Sequence, residues 1–372
     1  MSAAAASFSL HTTILFGAGR INELAERIAS CNARRPLLVT DPGFSVTRAF
    51  ATARDQAPHE SHVFAATKSN PTDEDVHAAA AAYFEHGCDS VIAVGGGSSL
   101  DVGKIVRVCA VYPEWTARQP LPERVAKLPP FVAVPTTAGT GSEVGRSSVI
   151  TVDGIKRVLF DPALRADVVI LDPALTVELP AKLTAATGAD ALTHCIESFT
   201  SPTFQPICDA FALEGIHLIT TALRRAVKEP TDLDARGSML LAATMGGIAF
   251  QKDLGAAHSL AHPLSSICGV HHGLANALVL PTVMKFNATR KPGVYARVGT
   301  AMGLHPPTDE ATIRAIESLL ADIGIATGLR AHGVTTAHLD PLTTQAFADP
   351  CHQTNPVPVT RDDLYHLYEQ AM

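Results

Sequence analysis

Short apolar runs bounded by Asp, Gly or Pro recur through the first half of the chain, at residues 36–39 (PLLV), 62–64 (HVF), 90–94 (SVIAV), 131–134 (FVAV) and 168–171 (VVIL). Runs of this length, β-branched and apolar on both faces, predict strands of a buried parallel sheet. Between them, residues 21–28 and 73–86 carry apolar positions at helical spacing, the second behind Thr72 as N-cap. Strand–helix alternation of this kind predicts a sheet covered by helices on both faces. Residues 147–160 break the rhythm with two β-rich runs around Asp153-Gly154, which predicts an inserted hairpin. After Pro180 the period changes. Long helical patterns cover residues 182–200, 207–228, 235–250 and 312–323. The chain is therefore read as an α/β domain (residues 1–178) with a Rossmann-like parallel sheet, followed by an all-helical domain (residues 179–372). The cleft between two such halves is a natural ligand site.

Composition narrows the class. With 47% hydrophobic and 17% charged residues over 372 positions, the chain has ample material for large cores and is not disordered. A net charge of −7, with no block of five basic residues, argues against a nucleic-acid partner. No run approaches the roughly 20 continuous apolar residues that span a bilayer, so no membrane partner is expected. The first ten residues carry no Lys or Arg, unlike a signal peptide. Seven scattered cysteines, never spaced C-x-x-C, read as free thiols of a cytoplasmic protein.

Two glycine-rich loops follow strands. In residues 90–104 (SVIAVGGGSSLDVGK) a strand meets three glycines, Ser98, Ser99 and then a helix. Glycines let the backbone approach an anion, and the helix start aims free N–H groups at it, which suits a diphosphate. The Walker spacing is absent, so ATP-style phosphoryl transfer is disfavoured. Residues 135–143 (PTTAGTGSE) form a second hydroxyl-rich loop after a strand, suited to coenzyme phosphates and amide. Upstream, Gly17-Ala18-Gly19 imitates a dinucleotide fingerprint but has Asn22 where its third glycine belongs. Asp41, at a strand's C-terminal end, fits either the ribose hydroxyls of NAD or the cap of the next helix. As a carboxylate, it favours NAD over NADP.

Histidines are lopsided, with 5 of 16 before residue 181 and 11 after. Asp190 and His194 stand at i, i+4 on one predicted helix, and His258 and His262 repeat that spacing on another. His272 opens a third helix. One carboxylate with several imidazoles suits Fe²⁺, Zn²⁺ or a similar divalent ion.

Together, the Gly95-Gly96-Gly97-Ser98 turn with Asp101 and Lys104, the residue 135–143 loop, the Asp190/His194 pair, and His258, His262 and His272 in order resemble the iron-containing (group III) alcohol dehydrogenases over nearly the whole chain. The resemblance implies a dinucleotide-binding α/β domain facing an all-helical metal domain. It implies Asp190, His194, His258 and His272 as metal ligands and His262 as a nearby histidine that handles protons. Asp41, Asn70, Gly96, Gly97, Ser98, Asp101, Thr136, Thr137, Thr140 and Lys156 match the coenzyme side. His271 has no counterpart and is expected at the second shell or surface. Relatives of this kind are commonly homodimers or larger. Between Phe250 and His258 the chain departs from the family pattern, being about one residue short.

The expected activity is reversible hydride transfer between a small alcohol and NAD, assisted by Fe²⁺ or Zn²⁺. Two variants stay open within the fold: a short hydroxy-acid (4-hydroxybutyrate-like) dehydrogenase and a maleylacetate reductase-like enzyme, the latter weakened because Asp190 is present. A dehydroquinate synthase-like metal lyase, which uses NAD only transiently, is the rival of another class. Lys252, six residues before His258, is a candidate reader of an acidic substrate group; its other reading is a surface lysine.

Overall fold

The computed structural model describes residues 6–10, 12–326 and 328–372. Its first half contains eight strands: β1 (Thr13–Phe16), β2 (Pro36–Val39), β3 (His62–Phe64), β4 (Ser90–Gly95), β5 (Phe131–Pro135), β6 (Ser147–Val152), β7 (Ile155–Phe160) and β8 (Val168–Leu171). Helices α1 (Leu24–Ser30), α2 (Pro42–Ser45), α3 (Arg48–Asp55), α4 (Asp73–Glu85) and α5 (Gly97–Val111) alternate with them. Six strands form one parallel sheet in the order β1-β8-β5-β4-β2-β3.

The period of two sorts each strand's residues into two cores. Leu37, Val39, Val91 and Ala93 pack on the α4–α5 side. Leu38, Ile92, Val94 and Val132 face α1 and α3. Strands β2, β4, β5 and β8 are buried throughout, which is why they read as unbroken apolar runs. Thr72 caps α4 through a reciprocal capping box with Asp75. The expected helix at residues 21–28 starts instead as a 3₁₀ turn (Arg20–Glu23) in which the Ile21 N–H donates to Asp172.

β6 and β7 pair antiparallel, and Asp153 and Gly154 both take positive φ at the turn between them. The hairpin is tied to the sheet's far edge, where the Thr151 N–H donates to the Pro71 carbonyl at 2.7 Å.

The second half is helical among the described residues: α6 (Ala181–Thr200), α7 (Pro206–Lys228), α8 (Leu233–Ala249), α9 (Ala256–Cys268), α10 (His272–Arg290), α11 (Ala296–Ala301), α12 (Asp309–Asp322), α13 (Leu339–Ala348) and α14 (Arg361–Ala371). One helix, α7, is long and apolar enough to cross a membrane by length and composition, although charged residues interrupt its apolar run. Its apolar side (Cys208, Ala212, Ile216, Ile219 and Leu223) is buried in the helical core. All seven cysteines are free thiols.

Candidate metal and coenzyme site

Helix α6 runs through the centre of the helical half and buries nearly every residue, so its polar groups must find partners inside. Asp190, His194 and Glu197 leave it on one face. Glu197 reaches the start of α9, where its carboxylate accepts the N–H groups of Ala257 (2.6 Å) and His258 (3.3 Å). The same carboxylate accepts His258 Nδ1–H at 2.6 Å. That bond assigns the His258 proton to Nδ1 and leaves Nε2 as an acceptor on the Asp190 side.

Asp190, His194 and His258 are all buried, with their donor atoms within 4.8 Å of one another. His272, the first residue of α10, closes the group with Nε2 3.6 Å from Asp190 Oδ1. Asn276, one turn further along α10, places its amide nitrogen 2.7 Å from Asp190 Oδ1, 3.1 Å from His258 Nε2 and 3.3 Å from His272 Nε2. This neutral amide is the one hydrogen-bond donor to Asp190 among the described residues. A buried carboxylate facing three imidazoles is thus left without a full positive partner. An oxygen-and-imidazole set of this kind could hold a divalent cation, so the residues fit the ion.

The electrostatics point the same way. Burial works to raise the Asp190 pKa, but the three surrounding histidines prevail and hold it well below the usual carboxylate range. Burial pushes His194 down to about 4 and His272 well below its ordinary value. His258 goes up despite burial, because Glu197 holds its Nδ1 proton.

His262, one turn beyond His258, stacks against the His272 ring at 5.2 Å between centroids. Its Nδ1 donates to Asp349 Oδ2 at 2.7 Å, which leaves Nε2 as the acceptor. His262 is half-buried, so it stands between the centre and solvent.

Of the residues expected on the coenzyme side, Asp41, Gly96, Gly97, Ser98, Thr136 and Thr137 lie at the C-terminal ends of parallel strands, where strand order reverses between β2 and β4. Gly96 is the N-cap of α5 with no side-chain cap, so the helix's first N–H groups, including those of Gly97 and Ser98, are open to an anion. A Cβ on Gly97 would stand 2.8 Å from Thr140, so only glycine lets this turn meet the neighbouring loop. In that loop, Thr136 is buried with its N–H on the Gly95 carbonyl, and Thr137 lies against Gly96. Asp41 fills its capping role, its Oδ1 accepting the Phe44 N–H at 2.9 Å, while Oδ2 lies on the Gly95 side. Asn70 is exposed just before Pro71 at the sheet edge.

Asp101 is held by the protein itself. Its Oδ1 accepts Ser142 Oγ at 2.7 Å and its Oδ2 accepts the Val149 N–H at 3.1 Å, so the carboxylate ties α5 to the loop and the hairpin. Lys156, half-buried on β7, is pushed below its usual pKa by burial, although Asp190 and Asp101 pull it up. The hairpin therefore brings one lysine into the field of Asp190.

Lys252 is not a substrate reader. It is 3% exposed, and its Nζ donates to Asp209 at 2.5 Å and to the Phe199 carbonyl at 3.0 Å. His271 is the exposed N-cap residue of α10.

Three residues of the site went unread in the sequence. Glu197 follows His194 by three positions, and Asn276 follows His272 by four; both spacings put them on the same helix faces as the histidines and could have revealed them. Asp349 comes from the α13 end, 87 residues from His262, and no local pattern announces it.

The chain matches the iron-containing alcohol dehydrogenase family over residues 11–173, and that family's C-terminal region over residues 184–372. It is 40% identical to a 4-hydroxybutyrate dehydrogenase of Cupriavidus necator, covering 97% of this chain and 98% of that protein. Among solved structures, a 1,3-propanediol oxidoreductase superposes with a TM-score of 0.93 at 33% identity, covering 98% of this chain and 99% of that one. A sulfoacetaldehyde reductase from Bifidobacterium kashiwanohense, in complex with NAD+, superposes with a TM-score of 0.90 at 30% identity, covering 99% and 98%.

Proposed function

Since this chain belongs to the iron-containing alcohol dehydrogenase family and is an NAD-linked oxidoreductase of small alcohols, we propose that it oxidises a short ω-hydroxy acid of about four carbons to its semialdehyde, and reduces it back. The hydride transfer is carried by one observation: a buried Asp190/His194/His258/His272 donor set in the same molecule as an open glycine turn at the sheet's switch point. The hydroxy-acid substrate rests on the full-length likeness to the 4-hydroxybutyrate dehydrogenase.

In this reading Asp190, His194, His258 and His272 hold Fe²⁺, with Zn²⁺ as the alternative, and Glu197 and Asn276 orient them. A divalent ion held there would supply Lewis acidity, polarising the substrate oxygen and lowering the hydroxyl pKa. Gly96, Gly97 and Ser98 offer N–H groups to the coenzyme diphosphate. Thr136, Thr137 and Thr140 line its path, with Asn70 and Lys156 at its flanks, and Asp101 holds the loop in place. Asp41 accepts the ribose hydroxyls with Oδ2, the oxygen its cap leaves unused, so NAD is preferred to NADP. His262, its Nδ1–H committed to Asp349, accepts the substrate proton at Nε2 and passes it to solvent. We place the division between the two functional halves at residues 178/179, and propose a cytoplasmic homodimer or higher homo-oligomer.

The test is steady-state nicotinamide reduction by iron-loaded protein. kcat/KM for 4-hydroxybutyrate with NAD should exceed that for 1-propanol at least about tenfold, a difference of about 1.4 kcal/mol. A preference for 1-propanol would return the substrate to a plain short alcohol. A preference for NADP would remove Asp41 from its role. Absence of accumulated NADH with any alcohol would favour the lyase reading.

A further inference from the structure

His262, Asp349 and Cys351 form a second cluster beside the four-residue centre. Their donor atoms lie within 4.8 Å of one another, and all three residues are half-buried rather than enclosed. We propose that this trio is a separate binding site for a soft divalent cation, such as Zn²⁺ or Cd²⁺, and that its occupation inhibits turnover.

The trio is held in place by the scaffold. Asp349 caps the 3₁₀ turn Pro350–Thr354, its Oδ1 accepting the Cys351 N–H at 2.9 Å. The same oxygen accepts Ser259 Oγ at 2.9 Å, and Ser259 Oγ in turn accepts the His352 N–H at 2.8 Å. These bonds pin the turn to α9, the helix that carries His262. Oδ2 is left facing the His262 ring, whose Nδ1 stands 2.7 Å away. The cap also returns the Cys351 side chain, two residues on, to the neighbourhood of the same carboxylate.

The donor set decides the ion. A thiolate and an imidazole select zinc-like ions over magnesium or calcium, and three protein ligands leave a fourth position for water. Asp190, His194, His258 and His272 contain no sulfur, so the two sets differ in softness. His262 is the one residue here with a proposed role in the main reaction.

Binding moves protons and transfers no electrons. The cation takes the Nδ1 lone pair once the imidazole proton has shifted to Nε2, and the Cys351 S–H releases its proton to solvent as the metal–sulfur bond forms. Nε2 then carries a hydrogen and no longer accepts one from substrate. Inhibition follows without loss of the iron.

Cadmium titration of the iron-loaded enzyme tests this directly. The expected result is an ultraviolet thiolate-to-cadmium charge-transfer band that saturates at one ion per chain, with iron content unchanged by elemental analysis and turnover falling in parallel. Cys351→Ser should abolish the band and weaken cadmium binding at least about tenfold. His258→Ala, outside the trio, should keep the band. A band that survives Cys351→Ser would overturn the proposal, as would cadmium bound only in exchange for iron, or no band in the wild-type protein.

Discussion

At Asp253 the backbone takes φ 70° and ψ 179°, a region that is essentially glycine's own. The strain falls where the 3₁₀ turn Phe250–Lys252 must turn into α9. Asp253→Gly should relieve about 1–3 kcal/mol of backbone strain and lose roughly 0.5–1 kcal/mol to a looser unfolded chain. The expected outcome is a protein about 1 kcal/mol more stable in urea unfolding at unchanged m; a less stable variant would mean that the aspartate makes a contact worth more than the strain. At this scale the sequence was legible wherever spacing encodes a shared helix face, as for Asp190 with His194 and His258 with His262. It misled at Lys252, because a lysine's pairing with Asp209, 43 positions away, leaves no local trace.

The loop between β5 and β6 joins the two halves. Gly141 lies backbone to backbone against Gly247 on α8, where a Cβ would come within 2.5 Å of the facing Cα. Two residues on, the buried Glu143 accepts Thr244 Oγ1, also on α8, at 2.7 Å. Burial raises the Glu143 pKa above 4.5, with Thr244 and Lys104 opposing. The folded state therefore keeps a proton that the unfolded chain releases, and stability falls as pH rises from the unfolded value toward the folded one. Thermal unfolding across that window should show this slope in the wild type and a flatter profile in Glu143→Gln. An equal slope in both would place the titration elsewhere. Strands β2, β4, β5 and β8 and the Asp-Gly hairpin were legible because burial on both faces and a positive-φ turn each demand particular residues, whereas the edge strand β1 went unread and β3, read as buried, leaves Val63 exposed. The helix ends were less so, since Pro263 and Pro281 sit inside α9 and α10, held there by packing rather than propensity.

Across the whole molecule, the sheet half supplies an anion-ready turn and the helical half supplies the buried donor set, and the sheet-side core also takes in Leu240 and Ile248 of α8. The two-part plan was legible from the change of period near Pro180. The convergence of α6, α9 and α10 on Asp190 was legible only as a list of donors, because helix packing angles are not written in local spacing. The most direct test is His258→Ala, assayed by elemental analysis and by NAD binding on the same preparation. The metal should be lost and alcohol oxidation with it, since one of the four proposed ligands and the partner of Glu197 are gone, while NAD affinity stays within about twofold of wild type, less than about 0.5 kcal/mol. Retained metal with near-normal turnover, or NAD binding lost together with the metal, would contradict a metal centre and a coenzyme turn built independently on two halves.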